Sequence, residues 1–166
     1  MAAVSEIDPL VQANRAYALE RSGGLPGAPA RHIAVVTCMD CRIDPVRALG
    51  INVGDANVIR NAGGLVVEDT IRSLSISQHK LGTTSIMIIQ HTRCGLSTFS
   101  DEEFRAELES ETGVRPPWGP RPFGPQEDNI RAALERIRTS PFLPHRNDVR
   151  GFVFDVDTGL LHEVAA

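Results

Sequence analysis

The chain has 166 residues, enough for one buried core and short for two, so a single domain over residues 1–166 is expected. Its 42% hydrophobic and 23% charged residues are those of an ordinary globular protein, and a net charge of −4 without any basic run argues against nucleic-acid binding. Three cysteines are too few, and odd in number, for a disulfide framework, and no apolar stretch approaches the length of a bilayer span. Met1 to Asp8 has neither the basic nor the apolar region of a secretory signal, so a reducing, cytoplasmic setting with free or metal-bound thiolates is expected.

Taken in order, residues 8–21 read as a helix with Asp8 as N-cap and Pro9 in the first turn. The Gly/Pro-rich linker 22–30 then separates this helix from the rest. Two placements are open: against the helix's own domain, or on a partner subunit. Ile33-Ala-Val-Val-Thr-Cys38 is a β-branched run of central-strand character, and it runs on into Met39-Asp40-Cys41-Arg42. Asp44-Pro45 caps a short helix to Leu49 that Gly50 closes. A second strand covers 56–60, and Asn61-Ala62-Gly63-Gly64 turns the chain. A helix spans 69–80, with Ile71, Leu74 and Ile76 expected inward. A third strand over 85–90 leads into His91-Thr92-Arg93-Cys94-Gly95.

Ser100 with Glu103 three residues on is a capping-box pattern that starts the next helix. Residues 113–125 form a Pro/Gly-rich loop carrying Trp118, readable as a lid or as a tethered surface crossing. Residues 126–139 carry an apolar stripe of Ile130, Ala133, Leu134 and Ile137. A last central strand at 149–156 turns through Asp157-Thr158-Gly159 into an edge strand at 160–164. The pattern predicts an α/β fold: a central parallel β-sheet flanked by helices, with an antiparallel C-terminal edge strand.

Open α/β sheets bind ligands beyond the carboxyl ends of their strands, and two strand ends here carry soft ligands. Cys38 precedes His91 by 53 residues, and His91-x-x-Cys94 completes a Cys2His set. Three such ligands suit a catalytic zinc ion, which keeps a fourth position open. The rival uses Cys41 as well, giving a closed structural Cys3His site. A redox role for Cys38-x-x-Cys41 is disfavoured because the carboxylate of Asp40 between the thiols should raise their pKa. Asp40 and Arg42, two apart in extended chain, should share one side of the rim. There the arginine fixes the carboxylate as a proton acceptor next to the metal, or releases it to become the fourth ligand.

These residues together resemble the β-class carbonic anhydrases. That family's Cys-x-Asp-x-Arg and His-x-x-Cys stand here as Cys38-Met39-Asp40-Cys41-Arg42 and His91-Thr92-Arg93-Cys94, with Arg60-Asn61-Ala62-Gly63 matching the stretch between. The likeness runs from about residue 32 to 96 and through 149–164. It implies a Zn2+ cofactor on Cys38, His91 and Cys94, a gating dyad of Asp40 and Arg42, and a Gly95 amide near the bound substrate. It also implies a homodimer or dimer of dimers to which the N-terminal helix contributes.

Three departures suggest a remodelled pocket in which Gly95, Ala62 and Asn57 meet substrate. Asn57 stands where many members carry an aromatic, Ile76 where they often have Tyr, and the glutamine many members place upstream of the first strand has no counterpart in residues 22–31. The activity implied is reversible hydration of carbon dioxide to bicarbonate and a proton by hydroxide generated at zinc. Two thiolate ligands should shift that ionisation upward, so that rate rises with pH. A short-chain branch of the family hydrolyses carbonyl sulfide or carbon disulfide with the same ligands and is the alternative. A non-catalytic zinc-stabilised scaffold is the second.

Overall fold

In the computed structural model, which describes residues 5–21 and 23–165, five strands form one sheet in the order β2-β1-β3-β4-β5. The strands are β1 (Ile33–Cys38), β2 (Ala56–Asn61), β3 (Ser85–His91), β4 (Asp148–Phe154) and β5 (Leu161–Val164). The first four run parallel, and β5 returns antiparallel to β4 as the expected edge strand. In the β1–β2 register Cys38 faces Asn61, and in the β3–β4 register His91 faces Phe154, so both motifs end their strands at one rim.

Five helices connect them: α1 (Ile7–Glu20), α2 (Pro45–Leu49), α3 (Glu68–Leu81), α4 (Asp101–Thr112) and α5 (Gln126–Arg138). Local chemistry sets several of their ends. Asp44 accepts from the N–H groups of Val46 and Arg47, and Gly50 closes α2 in the left-handed region at φ 61°. Ser100 and Glu103 form both bonds of the capping box of α4. The stripe on α5 is buried as its spacing requires, with Ile130 and Ile137 wholly inaccessible.

Both faces of the inner strands are covered. Ala34, Val36, Ile86 and Ile88 meet Leu74 of α3 and the α5 stripe on one side. Val35 and Ile89 meet Ile43, Leu65, Leu96 and Phe154 on the other. Near-continuous apolar runs are what a parallel sheet buried on both faces demands.

Three expectations change. The N-cap of α1 is Glu6 rather than Asp8, which sits in the first turn where a carboxylate favours the helix dipole. Ile76 is 46% exposed, since it lies two positions beyond the fully buried Leu74 and points away from the sheet. α1 buries none of its residues, leaving Ile7, Leu10, Val11, Tyr17 and Leu19 exposed. The linker begins at residue 22, which lies outside the described residues. The loop 113–125 has no regular structure and is tethered to α4. Asp101 accepts the Arg121 N–H at 2.8 Å, and Arg115 pairs with Glu102 and Glu109.

Candidate metal centre

β1 delivers Cys38 and β3 delivers His91, while the short turn after β3 carries Cys94 back to the same point. One ligand atom from each lies within 4.8 Å of the others, and all three residues are buried. A tetrahedral centre with ~2.3 Å metal–sulfur bonds has edges of ~3.8 Å, so small side-chain rotations close this set around an ion.

The donor chemistry agrees with that fit. His91 is fully buried, and its Nδ1 faces the Thr92 carbonyl oxygen at 2.9 Å. A carbonyl can only accept, so Nδ1 carries the proton. Nε2 is buried with no hydrogen-bond partner. A buried polar atom left unpaired is costly, and here it is a lone pair aimed between two thiols.

The two cysteines differ in their surroundings. Burial pushes the Cys38 thiol up, but the neighbouring His91 ring and the N–H groups of Asp40 and Gly63 outweigh it, bringing the thiol down to about 7. The Gly63 N–H lies 3.3 Å from Cys38 Sγ. Burial pushes Cys94 up to about 11; the Leu96 N–H offsets part of this, while the charges of Cys38 and Asp40 add to it. The expected upward influence of Asp40 does not hold at Cys38. At Cys38 the backbone N–H of Asp40 acts in the opposite direction.

Asp40 and Arg42 meet by another route than extended chain. β1 stops at Cys38, and a turn follows in which the Ile43 N–H donates to the Asp40 carbonyl at 3.1 Å. The Asp40 carboxylate accepts from the Arg42 backbone N–H at 2.9 Å, Nε at 2.9 Å and Nη2 at 2.7 Å. Such an Asx-type turn brings residues two apart together without a strand. This fork holds the Asp40 carboxyl well below the usual carboxylate range. Asp40 Oδ2 stands 3.8 Å from His91 Nε2, beside the three soft ligands. Arg42 Nη2 also donates to the Arg93 carbonyl at 3.0 Å, tying the dyad to the loop between His91 and Cys94.

Cys41 is exposed and outside the ligand group, so the chain does not assemble the closed Cys3His arrangement. Gly95 begins the turn after Cys94. Ala62 borders a cleft of about 380 Å³ between the turn after β2 and residues 119–121. A larger cleft of about 630 Å³ between α3 and Phe142 contains none of the soft ligands, and the chemistry belongs to the buried set. Asn57 is not brought to the cluster within one chain. It pairs in register with Ala34, four residues before Cys38, and donates to Ser77 Oγ at 2.8 Å.

Two glycines missed as site residues support the cluster. A Cβ on Gly64, at φ 61°, would meet Cys38 N at 2.9 Å and the Ile89 carbonyl oxygen at 3.0 Å. A Cβ on Gly63 would strike Leu96 and Phe123. Paired glycines in a turn after a strand were the available signal, since close backbone approach is a common reason for glycine there.

The comparisons with known proteins agree. The carbonic anhydrase family model matches residues 33–116. β-Carbonic anhydrase 1 of Mycobacterium tuberculosis is 49% identical over 148 residues, covering 89% of this chain and 91% of that protein. Carbon disulfide hydrolase of Acidianus is 33% identical over 172 residues, covering 89% and 83%. The crystal structure of carbonic anhydrase from Streptococcus mutans superposes with a TM-score of 0.92 at 39% identity, covering 98% and 99%. With a Cys-His-Cys set able to hold a metal at the shared rim, the chain belongs to the β-carbonic anhydrase family.

Proposed function

We propose that this chain is a zinc enzyme that hydrates carbon dioxide reversibly to bicarbonate and a proton. The observation that carries the reading is the unpartnered, buried Nε2 of His91 between two cysteines, with an arginine-held carboxylate 3.8 Å away. Cys38 Sγ, Cys94 Sγ and His91 Nε2 would hold the ion. When bound, it supplies a Lewis acid that brings the pKa of water toward ~7.

The remaining work falls to the chain's own groups. The Thr92 carbonyl fixes the His91 tautomer. Asp40, kept ionised by the Arg42 fork, accepts a hydrogen bond at Oδ2 and so orients the nucleophile toward carbon. With the fork opened, the same carboxylate would be free to serve as a fourth ligand to the ion. The Gly95 amide is assigned to the bound anion, with Ala62 in the surrounding substrate pocket; Asn57, bonded to Ser77, takes no part within one chain. Leu65, Leu96 and Phe123, packed in one cluster with Cys38 and Cys94, give apolar walls suited to a substrate without a net dipole.

The 49% identity to the mycobacterial carbonic anhydrase over nine-tenths of both chains favours carbon dioxide. Carbonyl sulfide or carbon disulfide is the second reading, supported by the Acidianus relative at 33% identity. The scaffold reading leaves the Asp40–Arg42 fork without a task. A homodimer or dimer of dimers is supported by the exposed apolar residues of α1. The absence of disulfides among the described cysteines suits a cytoplasmic setting, and no helix among the described residues is long and apolar enough to cross a membrane.

Stopped-flow carbon dioxide hydration on zinc-loaded protein at pH 7 and pH 8.5 tests the reading. Turnover that climbs with pH is expected. Asp40→Asn should keep its zinc and lose ~10²-fold or more in kcat, the scale of losing one preorganised hydrogen-bonding group. Zinc-loaded protein inactive at both pH values, yet active on carbonyl sulfide or carbon disulfide, would establish the second reading. An Asp40→Asn variant at full rate would remove the dyad's role.

A further inference from the structure

Asp40 is held at its carboxylate by Arg42 and at its carbonyl by two donors, the Ile43 N–H within the turn and a side chain from β2. β1 ends at Cys38, and the chain then leaves the sheet with the Met39 N–H still bonded to the Asn61 carbonyl at 2.9 Å. Arg60, on the edge strand β2 and in register with Thr37, reaches forward to this departing segment. Its Nε donates to the Cys38 carbonyl at 3.0 Å, and its Nη2 donates to the Asp40 carbonyl at 2.7 Å.

The two carbonyls belong to a metal-ligating residue and to the residue that orients the nucleophile. A guanidinium is planar and presents its donors in a fixed fork, so bonding both carbonyls fixes their separation. With Arg42 joining the Asp40 carboxylate to the Arg93 carbonyl, Asp40 is held at its backbone from β2 and at its side chain from the loop after β3. We propose that Arg60 is a positioning residue of this site: by bridging the carbonyls of Cys38 and Asp40, it holds the Cys38 sulfur and the Asp40 carboxylate in one mutual orientation.

The alternative is that Arg60 merely fastens β2 to β1. Six residue pairs of parallel register already do that, and the Arg60 bonds fall on the last paired residue, Cys38, and on Asp40 beyond it. The proposal rests on the zinc-hydration reading for its rate prediction, but not for its spectroscopic one.

The test compares wild type, Arg60→Gln and Arg60→Lys as full chains loaded with zinc or with cobalt(II). Arg60→Gln is expected to bind one metal per chain and melt near wild type. Its kcat should fall about ten- to hundredfold, the usual effect of losing a partner that orients a metal site, with KM little changed. The visible absorption of its cobalt(II) form should differ in intensity from wild type, because the Asp40 carboxylate is no longer held at a fixed place beside the metal. Arg60→Lys keeps the charge as a single point that bonds one carbonyl at a time, and should stay close to the glutamine variant.

An unchanged kcat and an unchanged cobalt spectrum in Arg60→Gln would overturn the proposal. Full recovery in Arg60→Lys would also overturn it, by making charge sufficient without the fork. Loss of metal and melting temperature in step with activity in both variants would assign Arg60 to the fold alone. If wild type turned over none of the three substrates, the proposed function would fail, while the cobalt comparison would still decide the role of Arg60.

Discussion

At the residue scale, the two cysteines of the group able to hold a metal, Cys38 and Cys94, sit in unequal surroundings. Cys94 is pushed up to about 11 by burial, so it is protonated across the ordinary working range. Cys38 is brought down to about 7 despite its burial, by the His91 ring and two backbone N–H groups. A metal takes only the thiolate, so each protonated thiol must release its proton on binding. Above about pH 7.5 one proton leaves, from Cys94, and affinity should climb about tenfold per pH unit. Below about pH 7 a second leaves, from Cys38, and the dependence should steepen. Competition titration of the metal-free protein against a chelator from pH 6 to 9 measures this. A slope constant across pH 7 would contradict the inequality. Cys38→Ser should abolish the break, because only one thiol then remains to titrate.

At the element scale, the chemistry depends on a close approach between the turn after β2 and the ends of β1 and β3. Gly64 makes that approach, with no room for a Cβ beside the Cys38 amide and the Ile89 carbonyl. Both obstacles are backbone, so nothing flexible can yield. Gly64→Ala should destabilise by about 1–3 kcal/mol through overpacking and by a further ~1–2 kcal/mol for its left-handed backbone. Because the strain falls on Cys38 itself, metal affinity should drop more than in a core truncation of equal cost, such as Leu134→Ala (about 2–5 kcal/mol). Chemical denaturation and metal titration of the two variants check this, and equal metal affinity would detach Gly64 from the site.

The elements also show which sequence signals carry structural information by themselves. α2 and α4 lie where Asp44, Gly50, Ser100 and Glu103 put them, because a cap bonds within its own few residues. Ile76 went the other way. Helical spacing itself separates Ile76, two positions past Leu74 and about half a turn away, from the face shared by Ile71 and Leu74, and a helix 14 residues long buries only that face.

At the scale of the whole molecule, α1 is the unresolved surface. It carries five large apolar residues and buries none of its length in its own chain, which is unfavourable for an isolated helix of 14 residues in water. A helix docked on a second copy removes that cost. Deleting residues 1–21 should therefore lower the assembly mass seen by sedimentation while leaving the melting temperature of a dilute monomer within a few degrees. A large fall in melting temperature with unchanged assembly would place α1 on its own domain instead.

The sequence by itself determined the order of elements, the ends of the capped helices, the parallel sheet with its reversed edge strand, and the three soft ligands with their neighbouring Asp40 and Arg42. Each rests on periodicity, on a cap, or on residue types at strand ends, all of which are local. Tertiary structure alone decided that Cys41 stands apart from Cys38, His91 and Cys94, and that Cys38 and Cys94 meet different surroundings. It also decided that Arg60 spans the backbone between ligand and dyad. These depend on which atoms from chain segments 20 to 60 residues apart come within a hydrogen bond of one another, and no local pattern encodes that distance.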